Sequence, residues 1–441
     1  MAGPFFGADR FNRLPECSII ALPKRFPEKK QMVSRTRGSP DRRSFIAGSV
    51  ALAGLGGFPA IGRAQDAAIK IGLLHPMTGP MAYPGQQARA GALMAIDSLN
   101  ALGGIRSLKG VKVEAVLGDT ESKPETAAAL VERMNAAGVA AILGPVSSDA
   151  AIASSEAAAK FGIAQVVDVA PDDQVVARGL GNTFRFAPGF SQLLDTGVEN
   201  FIALNNGAGK PVQRAVVIRD QSAFSIRLAG LVQERLAARG VAIADILDHA
   251  PGAREINAVA VKTQMLQPDM IVPLNDYDSF VLLLRTLQQQ RSRPKAVYSI
   301  LGAGASQPRL LREAAQSAEF TMDCNHFYDP RNPVAVELKN KVEARGMFFT
   351  YELFLAHEAL RLIGDAIERA ATADRGAIIQ ALGASGWANS FMPYGPTRFR
   401  GGQNIGAMPV TTQVQKGRIE LVYPVANASA KPVFPAPAAR V

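Results

Sequence analysis

The 441 residues are 48% hydrophobic and 20% charged, which indicates a folded protein of two or three domain-sized units and excludes a disordered chain or a multi-span membrane protein. The two cysteines, Cys17 and Cys324, are too few for a disulfide framework or a four-thiolate zinc site, so a hydrophobic core must hold the fold together. The net charge of +10 is typical of a partner such as nucleic acid or an anionic membrane, provided that the charge lies in the folded part.

The positive charge is concentrated in residues 1–64, which contain eleven of the 48 basic residues but only four of the 38 acidic ones. Arg42 and Arg43 precede an apolar, Gly- and Ala-rich run at 46–61, and Gly62-Arg63-Ala64 closes it. This order is typical of a twin-arginine export signal that is cleaved near Ala64. The run of about 16 residues is shorter than the ~20 residues of a membrane-spanning helix, which argues against an anchor.

The mature protein is expected to be free in the periplasm, because no cysteine follows the apolar run to carry a lipid. Met32 lies ten residues before the arginine pair and would start a signal of ordinary length, so residues 1–31 are a candidate upstream extension that is never translated. Removal of 1–64 leaves a net charge of only +3. We therefore expect no nucleic-acid partner.

From Ile69 onward, short apolar runs alternate with amphipathic segments, as parallel α/β sheets require. The first set of predicted strands lies at 69–74, 111–117, 140–143 and 164–168. The helices predicted between them lie at 85–102, 124–137 and 148–161. The alternation then restarts after Pro188, which indicates a second lobe of similar size.

In the second lobe, strands are predicted at 214–219, 242–247, 270–274 and 296–300. The predicted helices lie at 190–205, 224–239, 254–266 and 278–290. A long amphipathic helix at 351–371 brings no new strand set and is expected to return to the first lobe. The fold class is therefore predicted to be α/β, with two doubly wound parallel-sheet lobes.

The expected division of the chain has five parts after the leader. They are 65–187 and 327–395 in the first lobe, 188–326 and a returning hairpin at 396–424 in the second lobe, and an Ala- and Pro-rich tail at 425–441 that is expected to be disordered.

Motifs for catalysis are missing from the sequence. There is no GxxxxGK[ST] phosphate loop and no G-x-S-x-G nucleophile elbow, and the four histidines are scattered among unrelated segments. Gly302-Ala303-Gly304 lacks the third glycine of a dinucleotide site. Cys324-Asn325-His326 offers two potential metal ligands without a second pair, so an ordinary strand is the simpler interpretation. We expect no enzyme, no cofactor and no metal.

Several weak motifs occur in a characteristic order across residues 69–424. They are the opening segment Ile69–Pro80, Gly103-Gly104, Asp119 before Lys123-Pro124, Gly144-Pro145-Val146-Ser147-Ser148, Asp220 before a helix, and Gly395, Phe399 and Gly401. In this the chain resembles the branched-chain amino-acid binding proteins of ABC importers, which are type I periplasmic binding proteins. The resemblance implies two lobes that are joined by three hinge crossovers and close on a small solute.

The resemblance also implies a function, which is to capture the solute in the periplasm and deliver it to an inner-membrane ABC permease without chemical change. A monomer is expected. An alternative of a different class is a ligand-sensing partner of a membrane receptor, which would use the same fold for signalling.

Candidate ligand-binding residues follow the ends of predicted strands, where open parallel sheets bind ligands. Ser147 and Ser148 begin a helix, so a hydroxyl and free amides suit an anionic group, although plain N-capping is the alternative. The resemblance implies that Ser148 binds the ligand and that Ala170 presents a backbone carbonyl. It also implies that Phe224 and the pair Asp276-Tyr277 line the second lobe, with an ordinary loop or core role as the alternative.

The sequence departs from the amino-acid binders of this family where they hold the ligand's ammonium group. Pro171 stands where they have a hydroxyl, and Leu301-Gly302-Ala303 where they have a glutamate. The ammonium cage is therefore predicted to be missing unless Asp172 or Asp276 replaces it, because a buried unpaired charge is costly. An apolar lining is predicted from Tyr83, Phe224, Tyr277 and Phe348-Phe349. The expected solute is amino-acid-like, with a carboxylate, an amide or an aromatic acid as the favoured classes.

Overall fold

The structure is a computed structural model that describes residues 68–301 and 304–437. The predicted export signal, its cleavage near Ala64 and the proposed extension 1–31 lie outside these residues, as do Gly302 and Ala303. Within them, no helix is both long and apolar enough to cross a bilayer.

The strands recur at short intervals, separated by helices, as the sequence pattern predicts. They are β1 (Ile69–His75), β2 (Val113–Asp119), β3 (Ala141–Leu143), β4 (Ala164–Val167), β5 (Thr183–Arg185), β6 (Arg214–Asp220), β7 (Ala242–His249), β8 (Met270–Leu274), β9 (Ala296–Ile300), β10 (Met322–Asn325), β11 (Phe399–Arg400), β12 (Gln403–Asn404), β13 (Val410–Gln415) and β14 (Arg418–Tyr423).

The helices cover both faces of the sheets. They are α1 (Ala82–Ala101), α2 (Pro124–Ala136), α3 (Ser148–Lys160), α4 (Gln174–Ala177), α5 (Phe190–Gly207), α6 (Ala223–Ala237), α7 (Asn257–Leu266), α8 (Tyr277–Gln289), α9 (Leu310–Glu313), α10 (Ala315–Ala318), α11 (Pro333–Ala344), α12 (Tyr351–Ala370) and α13 (Arg375–Gly383).

Two separate seven-stranded sheets form, one in each lobe. Their spatial orders are β11-β12-β5-β4-β3-β1-β2 and β14-β13-β10-β9-β8-β6-β7. Six neighbouring strands of the first sheet and five of the second are parallel, and antiparallel pairing is confined to the end formed by the last strands of the chain. The prediction of two doubly wound lobes is confirmed.

The chain passes between the sheets three times. It leaves the first sheet after β5 and builds β6 to β10, and it then returns after β10 to place α11, α12 and α13 on the first lobe. The third passage lies between β12 and β13. The three connecting segments form a hinge about which the lobes can rotate with small changes of backbone angle.

Close packing of α1 against α12 forms much of the first-lobe core. Leu353, Phe354, Leu360 and Ile363 of α12 are fully buried, as the predicted apolar face requires. Gly91 faces this helix so closely that a Cβ atom would overlap the carbonyl oxygen of Leu353. A side chain at Gly91 would therefore push the two helices apart.

The predicted hairpin boundary at 396 is wrong for its first part. Gln403 of β12 pairs in parallel with Arg185 of β5, so β11 and β12 complete the first sheet rather than the second. The side chain of Asn404 donates to the carbonyl oxygen of Phe186 at 2.9 Å, which ties the segment to the first lobe. The return to the second lobe therefore falls between β12 and β13.

The tail is ordered as far as Pro437, contrary to the expectation of disorder from residue 425. The Gln413 side chain exchanges two hydrogen bonds of 2.9 Å with the backbone of Val433, and the amide of Ala436 donates to the carbonyl oxygen of Lys295 at 2.7 Å. Phe434 packs edge-on against Phe201 with ring centroids 6.1 Å apart. One aromatic contact and these hydrogen bonds hold the segment in place, although its composition predicts disorder.

Candidate functional site

The strand orders place a ligand crevice in each lobe at the point where the sheet reverses direction. In the first sheet this point lies between β1 and β3, and in the second between β6 and β8. Ligands of open parallel sheets bind beyond the carboxyl ends of such strands. Tyr83 and Ser148 follow β1 and β3, whereas Phe224 and Tyr277 follow β6 and β8, so the candidate residues come from both reversal points.

On the first lobe, the N-terminus of α3 is open toward the crevice. Ser147 occupies the N-cap position but makes no side-chain capping hydrogen bond, so the simple capping interpretation of this serine is wrong. The Ser148 hydroxyl accepts a hydrogen bond of 3.2 Å from the amide of Asp172. The first amides of α3 therefore lack a side-chain acceptor from Ser147, and the positive helix end can receive an anion.

Ser148, Asp172 and Phe224 come together around a cavity of about 440 Å³. Residues of both lobes line it, namely Ser148, Asp149, Pro171, Asp172, Phe190, Phe224 and Arg227. Ala170 is fully buried next to this wall and offers no side chain to it beyond a methyl group.

Phe190 and Arg227 were not predicted from the sequence. The Phe190 ring packs edge-on against Phe224 at 5.8 Å, and the Arg227 guanidinium lies 5.0 Å from the Phe190 centroid. Arg227 also lies 3.5 Å from a carboxylate oxygen of Asp172, which is an ion pair between the lobes. The available signal for Arg227 was its spacing of three residues from Phe224, which puts both side chains on one helix face.

Tyr83 and Tyr277 converge on a second unpredicted residue, Arg309. Its guanidinium carbon lies 3.2 Å from the Tyr277 ring centroid and 5.4 Å from that of Tyr83. The Tyr277 hydroxyl donates to Glu313 at 3.1 Å. Burial, followed by the neighbouring Glu313, raises the pKa of Tyr277, so this hydroxyl stays protonated at neutral pH.

The Asp276 carboxylate is engaged as the N-cap of α8. It accepts hydrogen bonds from the amide and hydroxyl of Ser279 at 3.0 and 2.7 Å, and from the amide of Gly252 at 3.3 Å. Burial alone would raise the pKa of Asp276, but these hydrogen bonds outweigh it and lower the pKa. The carboxylate is thus stabilised by its own lobe rather than held ready for an ammonium group.

We expect the substitution Asp276→Ala to lower the free energy of unfolding by about 1–2 kcal/mol, because α8 loses its cap. Asp276→Asn should cost less than half as much, since asparagine caps helices about as well as aspartate. Urea denaturation of the three proteins measures this. Equal stability of the alanine variant and the wild type would contradict the capping role.

The segment Cys324-Asn325-His326 lies at and just after β10. Cys324 and His326 are buried, and burial lowers the pKa of His326 to about 3, so the imidazole is neutral. Among residues 68–301 and 304–437, no group of three or more His, Cys, Asp or Glu side chains is arranged to hold a metal ion.

A family model described as a periplasmic binding protein matches residues 68–418, which is most of the chain. The chain belongs to this family. The resemblance that the motifs indicated is therefore confirmed, and the family is one of solute-binding proteins rather than enzymes.

Curated relatives of this periplasmic binding protein match over nearly their whole length. The Leu/Ile/Val-binding protein homolog 7 of Brucella abortus (strain 2308) is 25% identical over 398 residues, which cover 88% of this chain and 98% of the relative. A leucine-, isoleucine-, valine-, threonine- and alanine-binding protein of Pseudomonas aeruginosa is 26% identical, with coverage of 78% and 88%.

Solved structures share the fold. A leucine-binding protein from Thermotoga maritima has a TM-score of 0.65 at 22% identity, covering 80% of this chain and 97% of the other. The branched-chain amino acid transporter substrate-binding protein LivJ of Streptococcus pneumoniae, in complex with isoleucine, has a TM-score of 0.66 at 19% identity with the same coverage. These likenesses establish the architecture of two lobes.

Proposed function

We propose that this protein captures a small organic solute between its two lobes in the periplasm and delivers it to an ABC permease in the inner membrane. The observation that carries the proposal is the cavity lined by Ser148 and Asp172 of the first lobe and Phe224 and Arg227 of the second. A solute that contacts both walls is bound more tightly by closed lobes than by open ones. Binding therefore shifts the population toward closure.

The two walls supply different kinds of interaction. The open end of α3, with the Ser148 hydroxyl, offers hydrogen-bond donors to an oxygen atom of the solute. Phe190 and Phe224 offer aromatic surface to its apolar part. We assign roles in this site to Tyr83, Ser147, Ser148, Ala170, Asp172, Phe224 and Tyr277, with Asp276 acting as the cap that positions Tyr277.

Delivery follows from closure. The Asp172 to Arg227 ion pair joins the lobes across the cavity, so it forms only when they approach each other. A permease that docks on both lobes would recognise their relative orientation and thereby the occupied state. The export signal predicted in residues 1–64 and the family's periplasmic relatives support the location.

The test is to purify the protein gently from cell periplasm, denature it and identify the released small molecule by mass spectrometry. We expect one stoichiometric solute, and we expect deletion of the gene to abolish uptake of that solute. The proposal would be refuted if the purified protein carried no small molecule and deletion of its gene left solute uptake unchanged.

The substitution Phe224→Ala should weaken binding of the solute identified in this way by about tenfold or more, because the apolar part loses an aromatic wall. Ile226→Ala is a matched control, since Ile226 is 46% exposed against 41% for Phe224 but does not line the cavity. Titration calorimetry measures both affinities. A similar loss in both variants would show that Phe224 acts through general stability instead.

A further inference from the structure

Arg309 lies between the two lobes, in the turn that precedes α9. Its guanidinium carbon lies 3.2 Å from the ring centroid of Tyr277 in the second lobe and 5.4 Å from that of Tyr83 in the first. Both tyrosines follow strands at the reversal points of their sheets. The arginine therefore lies between two candidate site residues, one from each lobe.

Within residues 68–301 and 304–437 the positive charge of Arg309 has no close counterion. The one carboxylate oxygen of these residues within 4.0 Å belongs to Asp278, whose side chain is 89% exposed and lies at that limit. Solvent screens such a pair strongly. Among the described residues none accepts a hydrogen bond from the Arg309 guanidinium, and its buried Nε atom has no partner.

This arrangement suits a carboxylate. A guanidinium that rests with its face on a tyrosine ring is fixed in orientation, and its edge keeps the parallel N–H donors that bind a carboxylate through two hydrogen bonds. A buried N–H without an acceptor costs free energy, which a ligand carboxylate at this edge would recover. Arg309 is thus oriented for an anion before any solute binds.

The surrounding carboxylates do not offer an equivalent site for an ammonium group. Asp276 caps α8, and Asp172 faces Arg227 at 3.5 Å. Glu313 accepts the hydroxyl of Tyr277. Glu352 is buried, and burial raises its pKa, which disfavours its charged form.

We propose that Arg309 binds a carboxylate of the solute, and that the solute is an organic acid without an α-ammonium group, such as a 2-oxo acid or an aromatic acid. The protein's own guanidinium lies between Tyr83 and Tyr277, so a second cation such as the ammonium group of an amino acid would be repelled there. This inference rests on the proposed function and names the solute class for the same site.

The test is calorimetry on the periplasmic protein after its bound solute has been removed by partial unfolding and refolding. The probes are 4-methyl-2-oxopentanoate, benzoate, leucine and 4-methylpentanamide, which separate the carboxylate from the ammonium group. We expect at least one acid to bind tenfold or more tightly than leucine and the amide. Arg309→Gln should weaken that acid roughly ten- to a hundredfold.

Two further variants separate recognition from folding. Arg309→Lys keeps the charge but not the planar pair of donors, so its affinity for the acid should lie between those of the wild type and Arg309→Gln. Arg312→Gln removes a nearby charge that lies over Phe348 at 4.3 Å, and it should leave the affinity within about threefold of wild type. Thermal denaturation of each variant confirms that it is folded.

Tight leucine binding, failure of both acids to bind, or an Arg309→Gln variant with acid affinity within about threefold of wild type would each overturn the inference. None of these results would contradict capture and delivery of a solute. Mass spectrometry of the released molecule and the uptake assay test that proposal separately.

Discussion

Replacement of Glu358 by alanine should lower the free energy of unfolding by about 3–5 kcal/mol, because it leaves several buried donors without an acceptor. Glu358 is fully buried in α12. Its carboxylate accepts from Arg361 at 2.7 Å, from the Ser390 hydroxyl at 2.9 Å and from the amide of Phe391 at 3.0 Å, while His357 lies 3.0 Å away. The carboxylate thus joins α12 to the loop before β11.

This contribution should depend on pH. Burial alone would raise the pKa of Glu358, but the hydrogen bond with His357 and the charge of Arg361 outweigh it and hold the pKa below its usual range. Since the pKa in the folded state lies below the unfolded value of about 4.3, the stabilisation is complete above that pH and is lost as the pH falls through the folded value. The difference between wild type and Glu358→Ala should therefore shrink in acid.

Urea denaturation at pH 7 and in steps below pH 5 measures both effects. Asp365→Ala is the matched control, because it removes an acidic partner from the same helix at an exposed ion pair with Arg369. That change should cost no more than about 1 kcal/mol. Equal losses of unfolding free energy in the two variants would show that the buried hydrogen bonds of Glu358 stabilise the fold no more than an exposed ion pair does.

The substitution Gly91→Ala should cost about 2–4 kcal/mol, although alanine favours helices over glycine. The added Cβ would overlap the carbonyl oxygen of Leu353, which belongs to the backbone of α12 and cannot rotate away. The helices must therefore separate, which loosens the packing of the first-lobe core.

Gly230→Ala is the control for this experiment. Gly230 lies in α6, where a Cβ would meet nothing within 4 Å, so the same exchange should be neutral or stabilising by up to about 1 kcal/mol. Denaturation midpoints and slopes of both variants give the comparison. If Gly91→Ala were as stable as Gly230→Ala, the close approach of α1 and α12 would not be required by the fold.

The regular elements were predictable from the sequence because their signals are local. The predicted strand at 270–274 and the predicted helix at 124–137 agree with β8 and α2 to within one residue. Pro124 at the first turn of α2 and Glu125 behind it are local start signals that tertiary contacts need not override. The order of such elements was enough to predict two lobes.

The sheet ends were harder, because pairing there depends on residues far apart in the chain. The side chain of Arg185 meets that of Gln403, which lies 218 residues later, at 2.7 Å. The hydrophobic periodicity of residues 396–424 does not indicate which sheet edge each strand joins. The ordered tail was missed for the same reason, since its anchor at Phe201 belongs to a distant helix.

The candidate site was predictable only in part. Ser148, Asp172 and Phe224 could be proposed from their places after strands, and they do line one cavity. Arg227 and Arg309 were not proposed, because an arginine in an amphipathic helix or turn usually indicates nothing more than exposure, and the one signal for Arg227 was its spacing from Phe224. What marks them as candidate site residues is their contact with the aromatic rings of Phe190 and Tyr277, which only the structure shows.

Cys324 is the one cysteine in the described part of the chain, and it is buried in β10. Burial raises the pKa of its thiol, which keeps it in the unreactive protonated form. Cys324 should therefore not react with thiol-labelling reagents while the protein is folded. Cysteines introduced at exposed Leu117 of the first lobe and Val261 of the second could carry a dye pair, and energy transfer would then follow lobe closure in real time without replacement of Cys324.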